Sequence, residues 1–186
     1  MSYAERICAV HRELGIPPDY ATTRGLALQV EATLLIAAGH TPDGRELQLT
    51  PETWEAWQQL RTVAASERVP LQLLSGFRGV VRQTEIIRRK LGAGQRIDDI
   101  LRVNATPGYS EHHTGRAVDI GTPEAPPLEE SFAGTAAFRW LETHASRFGF
   151  QLSYPRGNAQ GIAFEPWHWY CAASCASPPA AHRPRH

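Results

Sequence analysis

Two short stretches of this sequence concentrate side chains that bind metal ions. The first is SEHHTGRAVDI, residues 110–120, and the second is EPWHWYC, residues 165–171. A catalytic zinc site takes three protein ligands from nitrogen, oxygen or sulfur donors and keeps one position open. His112, Asp119 and His168 would supply two imidazoles and a carboxylate for such a site. Glu165 lies three residues before His168, so both can face one cavity. Its carboxylate is then free to take a proton from an attacking water. His113 adjoins His112 and competes for the same role. His11, His40 and His144 have no acidic or histidine companion at ligand spacing and read as structural or surface residues. His182 and His186 fall in the C-terminal tail.

The surrounding elements have to bring these donors together. Ala117 to Ile120 reads as a short strand, in which Val118 and Ile120 point to the core and Asp119 to the opposite face. Gly115 allows a sharp turn between His112 and Asp119. Pro166 keeps Glu165 out of the helical region, because the residue before proline is extended. Alternation along the last segment places Trp167 and Trp169 on the face opposite His168, where they would pack in the core.

Further from the site, residues 3–14 read as an amphipathic helix with Ile7, Cys8, His11 and Leu14 on one face, stopped by Gly15, Pro17 and Pro18. Leu26, Leu28 and Val30 alternate as a strand would, and Asp43-Gly44 marks a turn. Thr50-Pro51 caps and opens a helix whose stripe is Trp54, Trp57, Leu60 and Ala64. Val69 to Leu74 reads as a strand entering Ser75-Gly76. Val80, Ile87 and Leu91 mark a helix ended by Gly92, and residues 104–115 read as a loop. Phe138, Leu141, Ala145 and Phe148 define another helix, capped by Gly149, and two strands follow near 150–154 and 161–171. The expected fold is a single α+β domain, with a small, mainly antiparallel sheet flanked by helices and the zinc site on the sheet. Residues 1–44 would be an N-terminal helix and lead-in packed on the domain, residues 45–175 the zinc unit and residues 176–186 a disordered tail.

Bulk properties exclude several classes. With 186 residues, 42 % of them hydrophobic and 20 % charged, the chain can bury a core of one ordinary domain. Nineteen basic and 19 acidic side chains cancel, which argues against a nucleic-acid partner. The one basic run, Arg88, Arg89 and Lys90, reads as a solvated helix face. Three cysteines, Cys8, Cys171 and Cys175, do not make a disulfide framework, and a Cys171–Cys175 pair is left open. The longest apolar run, Leu34 to Ala38, falls far short of the roughly 20 residues that span a bilayer. The first residues lack a basic start followed by an apolar stretch. The chain as it stands therefore reads as cytoplasmic, and as periplasmic or otherwise exported if a leader has been removed. A monomer is expected.

SEHHTGRAVD also fits the pattern S-x-H-x-x-G-x-A-x-D at Ser110, His112, Gly115, Ala117 and Asp119. EPWH fits the E-x-x-H that follows it, and SGFRGVVRQ resembles an upstream S-x-[YF]-R segment with a Gln five residues after the Arg. In this order the three blocks resemble the zinc D-Ala-D-Ala carboxypeptidases of the VanY type. The wider group includes D-Ala-D-Ala dipeptidases, L-Ala-D-Glu endopeptidases of phage and bacilli, and the zinc domain of hedgehog signalling proteins. The resemblance covers roughly residues 45 to 172. It implies one zinc ion per chain held by His112, Asp119 and His168, with Glu165 as catalytic base and Arg78 binding substrate near the scissile bond. It also implies that Gln83 and Ser110 help to hold a terminal carboxylate. The implied substrate is a peptidoglycan stem peptide or its precursor, cut by removal of a C-terminal D-alanine with D,D or L,D specificity. The spacing of Gln83 after Arg78 favours this over an L-Ala-D-Glu endopeptidase. The presence of Glu165, Arg78 and all three ligands speaks against a non-catalytic zinc-binding recognition domain.

Overall fold

The computed structural model describes residues 1–172. The first helix, α1 (Tyr3–Leu14), starts on a reciprocal cap. Ser2 Oγ accepts the Glu5 N–H and the Glu5 carboxylate accepts the Ser2 N–H, which satisfies two donors left over at a helix start. It ends at Gly15, whose left-handed φ of 68° carries the chain away. Ile7 and Leu14 are buried as expected, but Cys8 is exposed, and Val10 packs inward in its place. A short helix α2 (Tyr20–Thr23) follows. Leu26, Leu28 and Val30 then depart from the strand expectation. The segment is extended but joins no sheet, and Val30 is 63 % exposed. Its main chain instead bonds to a distant loop, Gln29 N–H to Gly108 O at 2.7 Å and Ala32 N–H to His113 O at 2.8 Å.

Strands β1 (Ile36–His40) and β2 (Glu46–Leu49) form a two-stranded antiparallel hairpin around the expected turn at Asp43-Gly44. Helix α3 (Pro51–Ser66) is capped by Thr50 and buries Trp57, Leu60 and Ala64. A second sheet takes β3 (Gln72–Ser75), β4 (Ala117–Gly121), β5 (Phe150–Leu152) and β6 (His168–Cys171) in the order β3-β4-β6-β5, antiparallel throughout. Between β3 and β4 lie α4 (Val80–Gly92), the short α5 (Ile97–Ile100) and a 3₁₀ turn at Glu111–Thr114. Gly92 closes α4 rather than following it, and Gly94 takes the left-handed φ of 82°. Helix α6 (Ala136–His144) runs into a 3₁₀ turn at Ala145–Phe148 before Gly149.

One apolar cluster packs α3 and α6 against the sheet, with Trp57, Leu60, Val118, Ile120, Phe138, Leu141 and Trp169 among its members. A second joins Leu14, Ile16 and Tyr20 to Ile87, Ile100 and Leu101, and so ties the N-terminal helices to α4 and α5. The last expected strand is shorter than 161–171. Ile162 to Trp167 form a loop that ends in a turn, where His168 N–H donates to Glu165 O at 3.1 Å with Pro166 as its first inner residue. No helix of the described residues is long and apolar enough to cross a membrane. Cys175 and the tail expected to be disordered lie outside the described residues.

Candidate active site

The β4–β6 ladder sets Asp119 directly opposite His168, so two of the expected donors meet across one register pair. The third, His112, comes from the 3₁₀ turn just before β4. One ligand atom from each lies within 4.8 Å of the others, and all three residues are buried. His112 Nε2 is 3.4 Å from Asp119 Oδ2, and His168 Nδ1 is 3.1 Å from Asp119 Oδ1. Gly115, at φ 65°, makes the bend between the two segments. A side chain there would run into Leu35 at 2.8 Å.

The outward ring nitrogens are each anchored. His112 Nδ1–H donates to Gly76 O at 2.7 Å, and His168 Nε2–H donates to Glu111 Oε2 at 2.9 Å. Ser153 Oγ–H in turn donates to the same carboxylate oxygen at 2.6 Å. A histidine whose outer N–H is held by a carbonyl or carboxylate presents its inner nitrogen in the form that binds a metal. Two such imidazoles and a carboxylate converging in a buried pocket fit a zinc ion.

Electrostatics bind the cluster together. Burial opposes charge on Asp119, but the two imidazoles overcome it and hold the carboxyl well below the usual carboxylate range. Burial also opposes charge on His168, yet its hydrogen bonds to Asp119 and Glu111 push it up to about 10. His112 is lowered by burial. A divalent cation would take the place of the positive charge that the carboxylates attract here.

Glu165 stands beside the triad, its Oε2 3.9 Å from His168 Nδ1. Its backbone N–H donates to Tyr154 O at 3.1 Å, which fixes the turn that carries it. Burial raises its carboxyl to about 7, in the range suited to exchanging protons near neutral pH. Arg78 lines the same cleft, and its Nε is buried with no hydrogen-bond partner among the described residues. Its main chain is held on both sides, since Arg78 N–H donates to His112 O at 3.1 Å and His113 Nδ1–H donates to Arg78 O at 2.5 Å. Ser110 also lines the cleft. Gln83 does not reach its surface. It is 1 % exposed and its Nε2 donates to Ala105 O at 2.6 Å, so it braces the wall from behind.

The cleft has a volume of about 400 Å³ and gathers Arg78, Ser110, His112, Asp119, Glu165 and His168. Several residues that sequence reasoning passed over belong to it or support it. Glu111 anchors His168, and the Tyr154 ring lies 4.9 Å from the His168 ring with its hydroxyl pushed up by burial and by Glu111 and Glu165. His113 is not a rival ligand. Its Nε2 accepts the Gly108 N–H at 3.0 Å, so both ring nitrogens serve the loops behind Arg78. Trp169 is in the core as expected, but Trp167 also lines the cleft. Lys90 lines it too, contrary to the solvated face expected of its basic run.

The chain is similar to known proteins in sequence and in fold. Residues 46–173 match the VanY family, described as D-alanyl-D-alanine carboxypeptidase. A D-alanyl-D-alanine carboxypeptidase of Enterococcus faecalis is 32 % identical over 122 residues, which is 60 % of this chain and 44 % of that protein. The chain thus matches less than half the length of that relative. Among solved structures, the LdcB LD-carboxypeptidase superposes with a TM-score of 0.69 at 26 % identity, over 77 % of this chain and 70 % of that one. The vancomycin-resistance D,D-pentapeptidase VanY, solved in complex with Zn(II), gives a TM-score of 0.58 at 27 % identity, over 77 % and 79 %. With its sheet order, its three converging donors and a match over most of its length, the chain belongs to the VanY family of D-alanyl-D-alanine carboxypeptidases.

Proposed function

We propose that this protein is a zinc-dependent carboxypeptidase that removes the C-terminal D-alanine from peptidoglycan stem peptides, with D,D or L,D specificity. The observation that carries the reading is the convergence of His112, Asp119 and His168 with Glu165 and Arg78 on one cleft. A zinc ion held by the three donors would supply Lewis acidity at the scissile carbonyl and lower the pKa of water toward neutrality. Glu165, raised toward 7 by burial, accepts the proton of the attacking water and passes it to the leaving amine. Arg78 donates to the oxygen on which negative charge develops, and its buried Nε, without a partner among the described residues, supports that role. Ser110 on the cleft wall, and Gln83 through the Ala105 carbonyl that it holds, shape the pocket for the departing residue. Residues 45–175 carry this chemistry, residues 1–44 pack on them as a frame, and the unit acts as a monomer. Its substrate is met either as a precursor inside the cell or in the wall, and fractionation of the producing cells separates the two.

The test is to incubate the zinc-loaded protein with stem peptides ending in D-Ala-D-Ala or in a single D-Ala, each also as a C-terminal amide. Mass spectrometry reads the products. Loss of one alanine from a free-ended peptide, abolished by a chelator, is expected. Glu165→Gln should keep its zinc and lose activity by about 10²–10⁴-fold. Internal cleavage that survives amidation, or full activity in Glu165→Gln, would overturn the reading.

A further inference from the structure

The basic run on α4 divides. Arg88 is exposed and pairs with Glu13, whereas Lys90 is half-buried and lines the same cleft as Arg78, Asn104, Ala105 and Ser110. Lys90 lies seven residues after Gln83, close to two helical turns, so the two share one face of α4. Gln83 braces Ala105 from behind, and Lys90 and Ala105 both line the cleft.

Neither Lys90 nor Arg78 has a carboxylate within salt-bridge distance among the described residues. Two cations on one partly buried wall repel each other and lose hydration. That lowers the proton affinity of Lys90, through burial first and then through Arg89 and Arg78. The acidic groups whose charge reaches them are Asp119 and Glu165 at Arg78 and Glu165 at Lys90. Asp119 is engaged by two imidazoles, and Glu165 makes no ion pair with either cation and is itself raised to about 7 by burial. An anionic ligand would relieve this arrangement, and a peptide with a free end brings one. A carboxypeptidase has two separate oxygen groups to manage. One is the scissile carbonyl, which gains negative charge, and the other is the terminal carboxylate one residue further along. A single guanidinium cannot be aimed at both.

We infer that Lys90 is a specificity-determining residue that reads the free terminal carboxylate of the substrate, leaving Arg78 to act at the scissile carbonyl. The inference rests on the proposed carboxypeptidase function, and its test separates the two. N-acetyl-D-alanyl-D-alanine and its C-terminal amide are titrated calorimetrically into zinc-loaded protein carrying Glu165→Gln, so that the peptide is not consumed. The free acid should bind more tightly than the amide. Adding Lys90→Met should weaken the acid by about tenfold or more, the range for a lost charged hydrogen bond, and leave the amide unchanged. Lys90→Arg should retain most of the preference. With Glu165 intact, Lys90→Met should raise KM for free-ended stem peptides at nearly constant kcat, whereas Arg78→Lys should lower kcat. Equal loss of acid and amide, or unaltered binding of the acid, would overturn the role of Lys90 and leave the carboxypeptidase reading intact. Selective loss of the acid in a protein whose Glu165-intact form cleaves no stem peptide would support the carboxylate site and overturn the carboxypeptidase reading.

Discussion

The metal donors and the arginine beside them are held by two different kinds of construction. Asp119 and His168 face each other across the β4–β6 ladder, so the sheet itself fixes their approach. Arg78 sits on an irregular turn between β3 and α4, and individual bonds from distant segments hold it there. His113 grips its carbonyl, and Glu31 Oε1 accepts the Val80 N–H at 2.7 Å where α4 begins. The segment that supplies Glu31 is pinned in turn by Tyr3 to Gln29 O at 2.6 Å and by Gln29 to Gly108. Gly108 completes the contact. At φ 84° it lies so near Ile7 of α1 that a side chain would approach to 2.7 Å. Residues ahead of the family match at 46 therefore back the arginine wall, while the ladder within the match builds the metal centre. A ladder spreads its stability over many bonds, whereas the wall depends on a few. Substitutions should separate zinc retention from turnover.

The largest effect is expected at a donor. His112→Ala should lose both zinc and hydrolysis, as measured by metal analysis and peptide assay, whereas His113→Gln should keep its zinc. Metal loss in the second variant would erase the distinction between the two neighbouring histidines. Next in size is Glu111→Gln, which weakens the anchor of His168 and should reduce zinc affinity or activity by about 10–100-fold. Unchanged affinity in a competitive chelator titration would reduce Glu111 to a surface contact. On the other side of the comparison, Glu31→Ala leaves the buried start of α4 without its acceptor. It should lower stability by about 1–3 kcal/mol in thermal melts and reduce kcat with zinc content unchanged, and Glu31→Gln should restore part of both. The smallest effect is a pH slope. His11 donates to Pro107 O at 2.8 Å and burial lowers its pKa below the ordinary 6.5. The unfolded chain then takes up the proton first, so the stability due to His11 is full above about 6.5 and declines as pH falls below it. Melts between pH 7.5 and 5 on the wild type and His11→Gln should show a shallower slope in the variant, and identical slopes would remove His11 from the frame.

Much of the metal centre was legible because its donors lie in two short stretches and a period of two puts Asp119 opposite Val118 and Ile120. The fold class followed from capped helices at Thr50 and Gly15 and from short strands between them. The supporting residues carried no such signal. Glu111 meets Ser153 and His168 across 42 and 57 residues of chain, distances at which spacing says nothing. Leu26, Leu28 and Val30 have the alternation of a strand but no neighbouring edge to pair with, and their segment spends its hydrogen bonds on the Gly108–His113 loop instead. Lys90 carries the same charge as the exposed Arg88 and Arg89, and only its position around the helix, about 100° on from Arg89, turns it toward the cleft.

Trp167 gives the molecule an optical property of its own. Of the five tryptophans, Trp57, Trp140 and Trp169 are buried, Trp54 is half-buried along α3, and Trp167 alone lines the cleft. Indole emission shifts in colour and intensity with the polarity around the ring. The emission of Trp167 should therefore change when a peptide displaces water from the cleft, while the four others supply a constant background. Difference spectra against Trp167→Phe would isolate that change, and cleft occupancy could be followed in real time without a label.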